Sequence, residues 1–330
     1  MKDTFSYALG AILPLLLTIG AGYFVRRVGC WDGKFYKSLN KLCFQWFLPV
    51  NLFCNIYGIE DLSQSNWLSM GVLIAGIFVV LFLGVLVARL FVPRQDQRGV
   101  IVQAAFRSNQ AVLGLPLANA LGGQAAMAFA SIGSAICVTI FNVLAVVVLT
   151  IYSGDRTKQI RPLQLFGQIL KNPLIIGSIL AVAAVGIRST GLVPAFFLRD
   201  QMPSIYKFLT DFSKVASPVM LFVLGADLDF QATRHLLPQI SLGVFLRLIL
   251  SPVLVIGAAL LLRQPLQLTV VEMPTFVAMC ASPVAVSSSV MVQEIGGDDQ
   301  LASQLVVWSS VLSMVTIFVI VFILRAMGAL

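Results

Sequence analysis

Arg107-Ser108-Asn109-Gln110-Ala111-Val112-Leu113-Gly114-Leu115-Pro116 is an unusual way to begin a membrane helix. Proline removes one backbone donor and crowds the preceding turn, and Gly114 loosens the same place. At bilayer depth each freed backbone group costs several kcal/mol unless protein, water or a ligand meets it. Such a segment is either a kinked helix patched by its neighbours or a broken helix whose half-helix N-terminus offers N–H groups to an anion. The second half of the chain holds a matching interruption, Ala281-Ser282-Pro283 followed by Ser287-Ser288-Ser289. Two matched interruptions point to a binding site between two halves of one architecture.

Outward from this segment, the run from Ser108 to Gly154 contains no charge and is too long for one helix, so it is expected to turn at Gly122-Gly123-Gln124. The same apolar character extends over all 330 residues, of which 58% are hydrophobic and 11% charged. An average soluble domain carries roughly 25% charged residues. Mean hydropathy is +0.94, which excludes a soluble body on a single anchor. With charges as fences and about 20 apolar residues per crossing, ten spans fit: Phe5 to Phe24, Leu42 to Ile59, Leu68 to Ala88, Val100 to Leu121, Ala125 to Ile151, Pro173 to Ile187, Ser204 to Leu228, Leu236 to Leu262, Thr269 to Val292 and Leu301 to Leu324. The first span is too long for a signal peptide and lacks a small-residue cleavage pattern. The seventh is interrupted by Lys207, Asp211 and Lys214, and its first half is expected to be partly solvated or at a seam.

The net charge of +8 comes from 22 Lys and Arg that fall singly or in pairs between the apolar runs, so they read as topology signals and not as a nucleic-acid surface. Connections one, three, five, seven and nine hold 13 of them and the opposite side six. Both termini are therefore expected outside the cytoplasm, periplasmic for a bacterial inner (plasma) membrane, with the connection from Ser153 to Asn172 inside. Pro49-Val50-Asn51-Leu52-Phe53 and Pro218-Val219-Met220-Leu221-Phe222 agree at four of five positions. Pro116-Leu117-Ala118 echoes Pro283-Val284-Ala285, and Leu121-Gly122-Gly123 echoes Ile295-Gly296-Gly297. We read an internal duplication: residues 1–155 form one five-helix repeat, 156–171 a cytoplasmic connection, and 172–330 a second repeat. Five spans per half invert the second relative to the first, an arrangement found in secondary transporters.

Five scattered cysteines, Cys30, Cys43, Cys54, Cys137 and Cys280, suggest neither disulfides nor a metal site. His235 is the only histidine and sits in a polar connection; no nucleophile, acid pair or metal cluster occurs at motif spacing. Neither an enzyme nor a cofactor is expected. Arg247 near the middle of span eight needs a partner, Asp227 or a substrate anion, because a charge there costs roughly 2.5–3.5 kcal/mol. Arg107 either snorkels to the interface or attracts anions. Asp227, Asp229 and Glu272 read as solvated helix ends, with a proton-carrying role as the alternative. Asn51, one turn from Pro49, reads as a helix–helix bond.

The pattern Asn-x-x-x-x-Gly-x-Pro from Asn109 to Pro116, ending in Gly122-Gly123, resembles the fourth-helix motif of the auxin efflux carrier family. Leu48-Pro49, Asn172-Pro173, Leu221-Phe222-Val223-Leu224-Gly225 and Ser282-Pro283 are similar to other landmarks of that family, in the same order. The resemblance implies an all-α membrane protein of ten transmembrane helices, two inverted five-helix repeats with crossed broken helices four and nine, NhaA-like or bile-acid-symporter-like. It also implies a homodimer and a small organic anion near the crossing. Asn109 would bond the substrate carboxylate, the break at Pro116 would cross that at Pro283, and Leu48 and Val286 would line the apolar part. Gln110, Asn51, Ser282 and Ser287 complete the candidate substrate-binding set. The long cytoplasmic loop of many plant members is absent and Ser288 stands where they carry a second proline, so malate or malonate suits the chain better than auxin. The expectation is a secondary transporter of small carboxylates in the lipid bilayer. Two alternatives stand: a sodium-coupled organic-anion symporter of the bile-acid type, and a membrane ligand sensor that transports nothing.

Overall fold

A computed structural model describes residues 2–29, 31–58, 66–153, 171–189, 196–228, 230–265, 268 and 272–330. Cys30, Asp229, Arg156, Lys158 and Arg161, and with them most of the predicted cytoplasmic connection, lie outside the described residues. The described chain is helical: α1 (Lys2–Val28), α2 (Gly33–Leu42), α3 (Leu48–Tyr57), α4 (Trp67–Phe91), α5 (Gln95–Phe106), α6 (Leu115–Tyr152), α7 (Pro173–Ser189), α8 (Phe197–Asp200), α9 (Pro203–Lys214), α10 (Ala216–Ala226), α11 (Phe230–Phe245), α12 (Ser251–Leu261), α13 (Glu272–Ala281), α14 (Ser287–Ile295) and α15 (Asp299–Ala326). Large apolar side chains such as Phe82, Leu90 and Leu261 face outward, while Gln97, Gln103, Arg107, Asn142 and Arg247 are buried. Polar groups inside and apolar ones outside are what lipid as the solvent demands.

Among the described residues five helical stretches are long and apolar enough to cross a membrane: Trp67–Phe91, Leu117–Tyr152, Pro203–Ala226, Arg234–Leu261 and Asp299–Ala326. They carry the third, fifth, seventh, eighth and tenth predicted spans. The sixth is the shorter apolar helix Pro173–Arg188. The fourth and ninth are each interrupted by extended backbone, so neither forms a single helix of spanning length. The polar residues Asn66, Asp32 and Asp298 cap α4, α2 and α15 by accepting from the backbone N–H of Ser69 (3.2 Å), Phe35 (2.9 Å) and Leu301 (2.9 Å). The charge-free run turns where expected: Gly123 has φ 70° and ψ −164°, a conformation open to glycine and closed to most side chains. The first half of the seventh span is the exposed α9, on which Asp211 pairs with Lys207 (2.9 Å) and Lys214 (3.2 Å).

Three π-helical turns, Cys43–Phe47, Gln110–Gly114 and Leu246–Leu250, share one cause. Each is followed at its second next residue by a proline, Pro49, Pro116 or Pro252. A proline ring collides with the carbonyl four residues earlier. Those carbonyls belong to Gln45, Val112 and Leu248, all inside the π turns, where the wider loop absorbs the collision without ending the helix. The expectation that Pro116 marks the break is therefore corrected: Pro116 lies in the first turn of α6, and the chain opens earlier, at Arg107 to Asn109.

The helices pack in two groups, and each group draws on both halves of the chain. In one, α1 lies along α10, and α3 lies against α7 and α9; in the other, α4, α5, α6 and α11 to α15 pack on one another. The α1–α10 contact is backbone on backbone. A Cβ added at Gly22 would collide with the carbonyl of Phe222, and one added at Gly225 with that of Ile19. Small residues at such crossings let helices gain van der Waals contact where lipid gives no hydrophobic drive. Gly225→Ala should therefore lower the melting temperature of the purified protein, with a cost of about 1–3 kcal/mol. Gly20→Ala, with nothing within 4 Å of its added Cβ, should melt like the parent; equal melting of both variants would refute the tight crossing.

Candidate functional site

The site starts with two helices that stop inside the protein. After α5 the backbone of Arg107 extends (φ −89°, ψ 105°), and after α13 the chain passes through Ser282 to Val286 before α14 begins. The extended pieces lie antiparallel, paired at Ser108 and Val284. Asn109 N–H donates to Pro283 O (2.8 Å), Ala285 N–H donates to Arg107 O (3.2 Å), and Val284 N–H donates to Ser309 Oγ (3.0 Å). These bonds satisfy backbone groups that helix geometry has released.

The carbonyls at the ends of α5 and α13 still need donors. Arg247, 1% exposed, supplies them. Its Nε donates to Ser282 O (2.9 Å), Nη1 to Ala105 O (3.2 Å) and Phe106 O (3.3 Å), and Nη2 to Met279 O (3.1 Å) and Cys280 O (2.8 Å). The expected partner Asp227 is corrected: it accepts from Gln293 Nε2 (2.7 Å) instead. A guanidinium facing two helix C-termini is matched by the negative ends of two macrodipoles. Glu272, expected to be solvated, is buried at the first residue of α13.

Arg107 is also buried, at 4% exposure, so it does not snorkel. Its Nη2 donates to Asn142 Oδ1 (2.8 Å) and Ser287 Oγ (2.9 Å), and its Nη1 lies against Met291 Sδ. Among the described residues no carboxylate pairs with it. It lines an open-sided cavity together with Leu48, Asn51, Asn109, Val286 and Ser287. Asn109 is not two turns from the break, as its distance from Pro116 suggested; it sits in the break. Its Nδ2, like Asn142 Nδ2 and Ser108 Oγ, is buried without a hydrogen-bond partner among the described residues. Asn51 Nδ2 donates to Ser213 O (3.2 Å), a bond between α3 and α9.

Four sequence candidates lie elsewhere. Gln110 turns away and donates to Ser134 O (3.1 Å). Ser282 Oγ donates to Ala278 O (2.6 Å). Pro283 contributes its carbonyl to the crossing, and Pro116 follows the π turn. Asn142, Asn55 and Ser217 line the cavity and were missed. Asn142 carried a signal, since an amide in the middle of a charge-free span is costly unless it has work to do. Arg247→Met should cost more than about 3 kcal/mol by stranding carbonyls at two helix ends, read as poor monodisperse yield and a lower melting temperature. Arg247→Lys, with three donors, should fall between; unchanged melting of the Met variant would show that the clamp is dispensable.

The chain is 24% identical over 251 residues to an uncharacterized transporter of Methanocaldococcus jannaschii, covering 74% of this chain and 76% of that one. It is 25% identical over 329 residues to a candidate malonate transporter of Rhizobium meliloti, covering 97% of each. The family model described as membrane transport protein matches residues 7–321. The chain therefore belongs to the membrane transport protein family, that of the auxin efflux carriers.

Proposed function

We propose that the protein moves small organic anions, carboxylates of the size of malonate or malate, across a bacterial inner membrane by alternating access. In this reading the group containing α4 to α6 and α11 to α15 moves against the group containing α1, α3, α7, α9 and α10. The observation that carries it is Arg107: a buried guanidinium lining the cavity with no carboxylate partner among the described residues, in a lining that also holds Asn109 and Asn142, whose amide nitrogens have no partner there. A buried cation is stable only when its charge is met, and an anion delivered from water would meet it. The break-bearing segments add the N-terminus of α14, whose positive dipole end beside Ser287 favours an anion. The ten-span plan with two inverted five-helix repeats (1–155 and 172–330, joined by 156–171), termini outside and a homodimer complete the proposal; duplicated motifs, charge asymmetry and family membership support it.

Uptake of radiolabelled malonate by proteoliposomes tests the reading. Asn109→Ala removes an amide donor and should weaken affinity about tenfold or more, since a hydrogen bond to a charged acceptor contributes about 1.5–3 kcal/mol. Asn109→Asp should be worse, because like charges would meet in a low-dielectric site. Melting temperatures should stay near that of the parent. Normal uptake by Asn109→Ala would place the site elsewhere. Among the described residues that line the cavity none is a carboxylate, so uptake should persist when sodium is replaced by choline; abolition would favour the sodium-coupled alternative.

A further inference from the structure

The charges around the cavity fix what kind of anion it can hold. Arg107 is the only charged or titratable side chain among the described residues that line it, on any of the contributing helices. Arg247 adds nothing to that count, because its guanidinium faces the carbonyl ends of two half-helices, each equivalent to about half a negative charge. The cavity thus offers one full positive charge, at Arg107, with only the fractional charge of the α14 N-terminus beside it, enough for one ionised carboxylate. A second would stay uncompensated near a low-dielectric wall of Leu48, Leu52, Phe141 and Met220.

The part of the lining that α3 supplies has a defined polarity. Ser213 O, a carbonyl that can only accept, takes the hydrogen bond from Asn51 Nδ2 and so sets the orientation of that amide. Asn51 Oδ1 then accepts from Asn55 Nδ2 (3.0 Å). The chain of amides leaves Asn55 Oδ1 free to accept, on a residue that lines the cavity. An ionised carboxylate has no hydrogen to give it, whereas a carboxylic acid, a hydroxyl or an amide has.

We propose that the cavity selects its cargo by charge state: one ionised carboxylate binds at Arg107, and a second carboxyl is admitted only in its protonated form, its O–H donating to Asn55 Oδ1. The proposal rests on the carboxylate reading above and adds the ionic form and the residue that senses it. A dicarboxylic acid would be carried as its hydrogen monoanion, taking up one proton from solution with the substrate and releasing it on the other side. Proton movement would then follow from the cargo, with no titrating side chain in the site.

Binding to the purified full-length protein in detergent, measured by isothermal titration from mildly acidic to mildly basic pH, tests this with three probes. These are malonate, its monoamide malonamate, and propionate. Malonamate keeps one carboxylate and carries a neutral donor at the far end, so its affinity should be flat with pH. Malonate affinity should fall about tenfold per pH unit above its second dissociation. In Asn55→Leu the advantage of malonamate over propionate should shrink to within about twofold. Malonate affinity that is flat or rises with pH would overturn the charge-state rule and leave the carboxylate reading standing. An unchanged malonamate advantage in Asn55→Leu would overturn the assignment to Asn55. Failure of all three probes to bind would bring down the carboxylate reading and this inference with it.

Discussion

One arginine makes the centre of this protein possible. Two helices end where a membrane protein can least tolerate loose backbone, and Arg247 accepts the consequence of both by donating to five carbonyls. Without a cation there, the C-termini of α5 and α13 would oppose each other as two negative dipole ends. With it, the extended pieces around Ser108 and Val284 can pair as a single rung of sheet inside an all-helical protein. The positions of Arg107, Asn109 and Val286 follow from that rung, because each stands on or beside it.

The two buried arginines show how one side chain serves opposite ends. Arg247 has its charge answered by five backbone oxygens. Arg107 is held by side chains that only partly answer it: an amide oxygen, a hydroxyl and a thioether. Of the guanidinium's five donors, those three contacts leave some to spare, and they lie beside the cavity. The first arginine builds the place and the second gives it a sign. The other packing group supplies mainly apolar walls and two amides, so the charged side of the cavity and the surface it faces belong to different helices.

Much of this was legible in the chain because lipid imposes simple rules. Apolar runs must be about one bilayer long, and the turn at Gly123 could be read from the lack of any charge between Ser108 and Gly154. The interruption was read in the correct segment but misplaced toward Pro116. Proline announces itself in a sequence, yet its collision is local and a π turn disposes of it. The real opening at Ser108 has no local marker, since it depends on Val284 arriving from the other half of the chain. Arg247 was visible as a charge in need of a partner, but carbonyl groups are the same at every residue and no letter code points to them. Ser282, singled out for its polarity, uses its hydroxyl on its own helix.

The backbone contacts of Gly22 with Phe222 and of Gly225 with Ile19 also bear on how such a chain is made. Their two faces are separated by about two hundred residues of synthesis, which at ribosomal speeds of roughly 5–20 residues per second is about 10–40 s. Throughout that interval α1 carries a glycine groove cut for a helix that does not yet exist. The groove suits few other occupants, because only a partner that also lacks a side chain at the crossing can approach so closely. A shape that excludes wrong neighbours lets the first helix of the chain wait for one of its later ones.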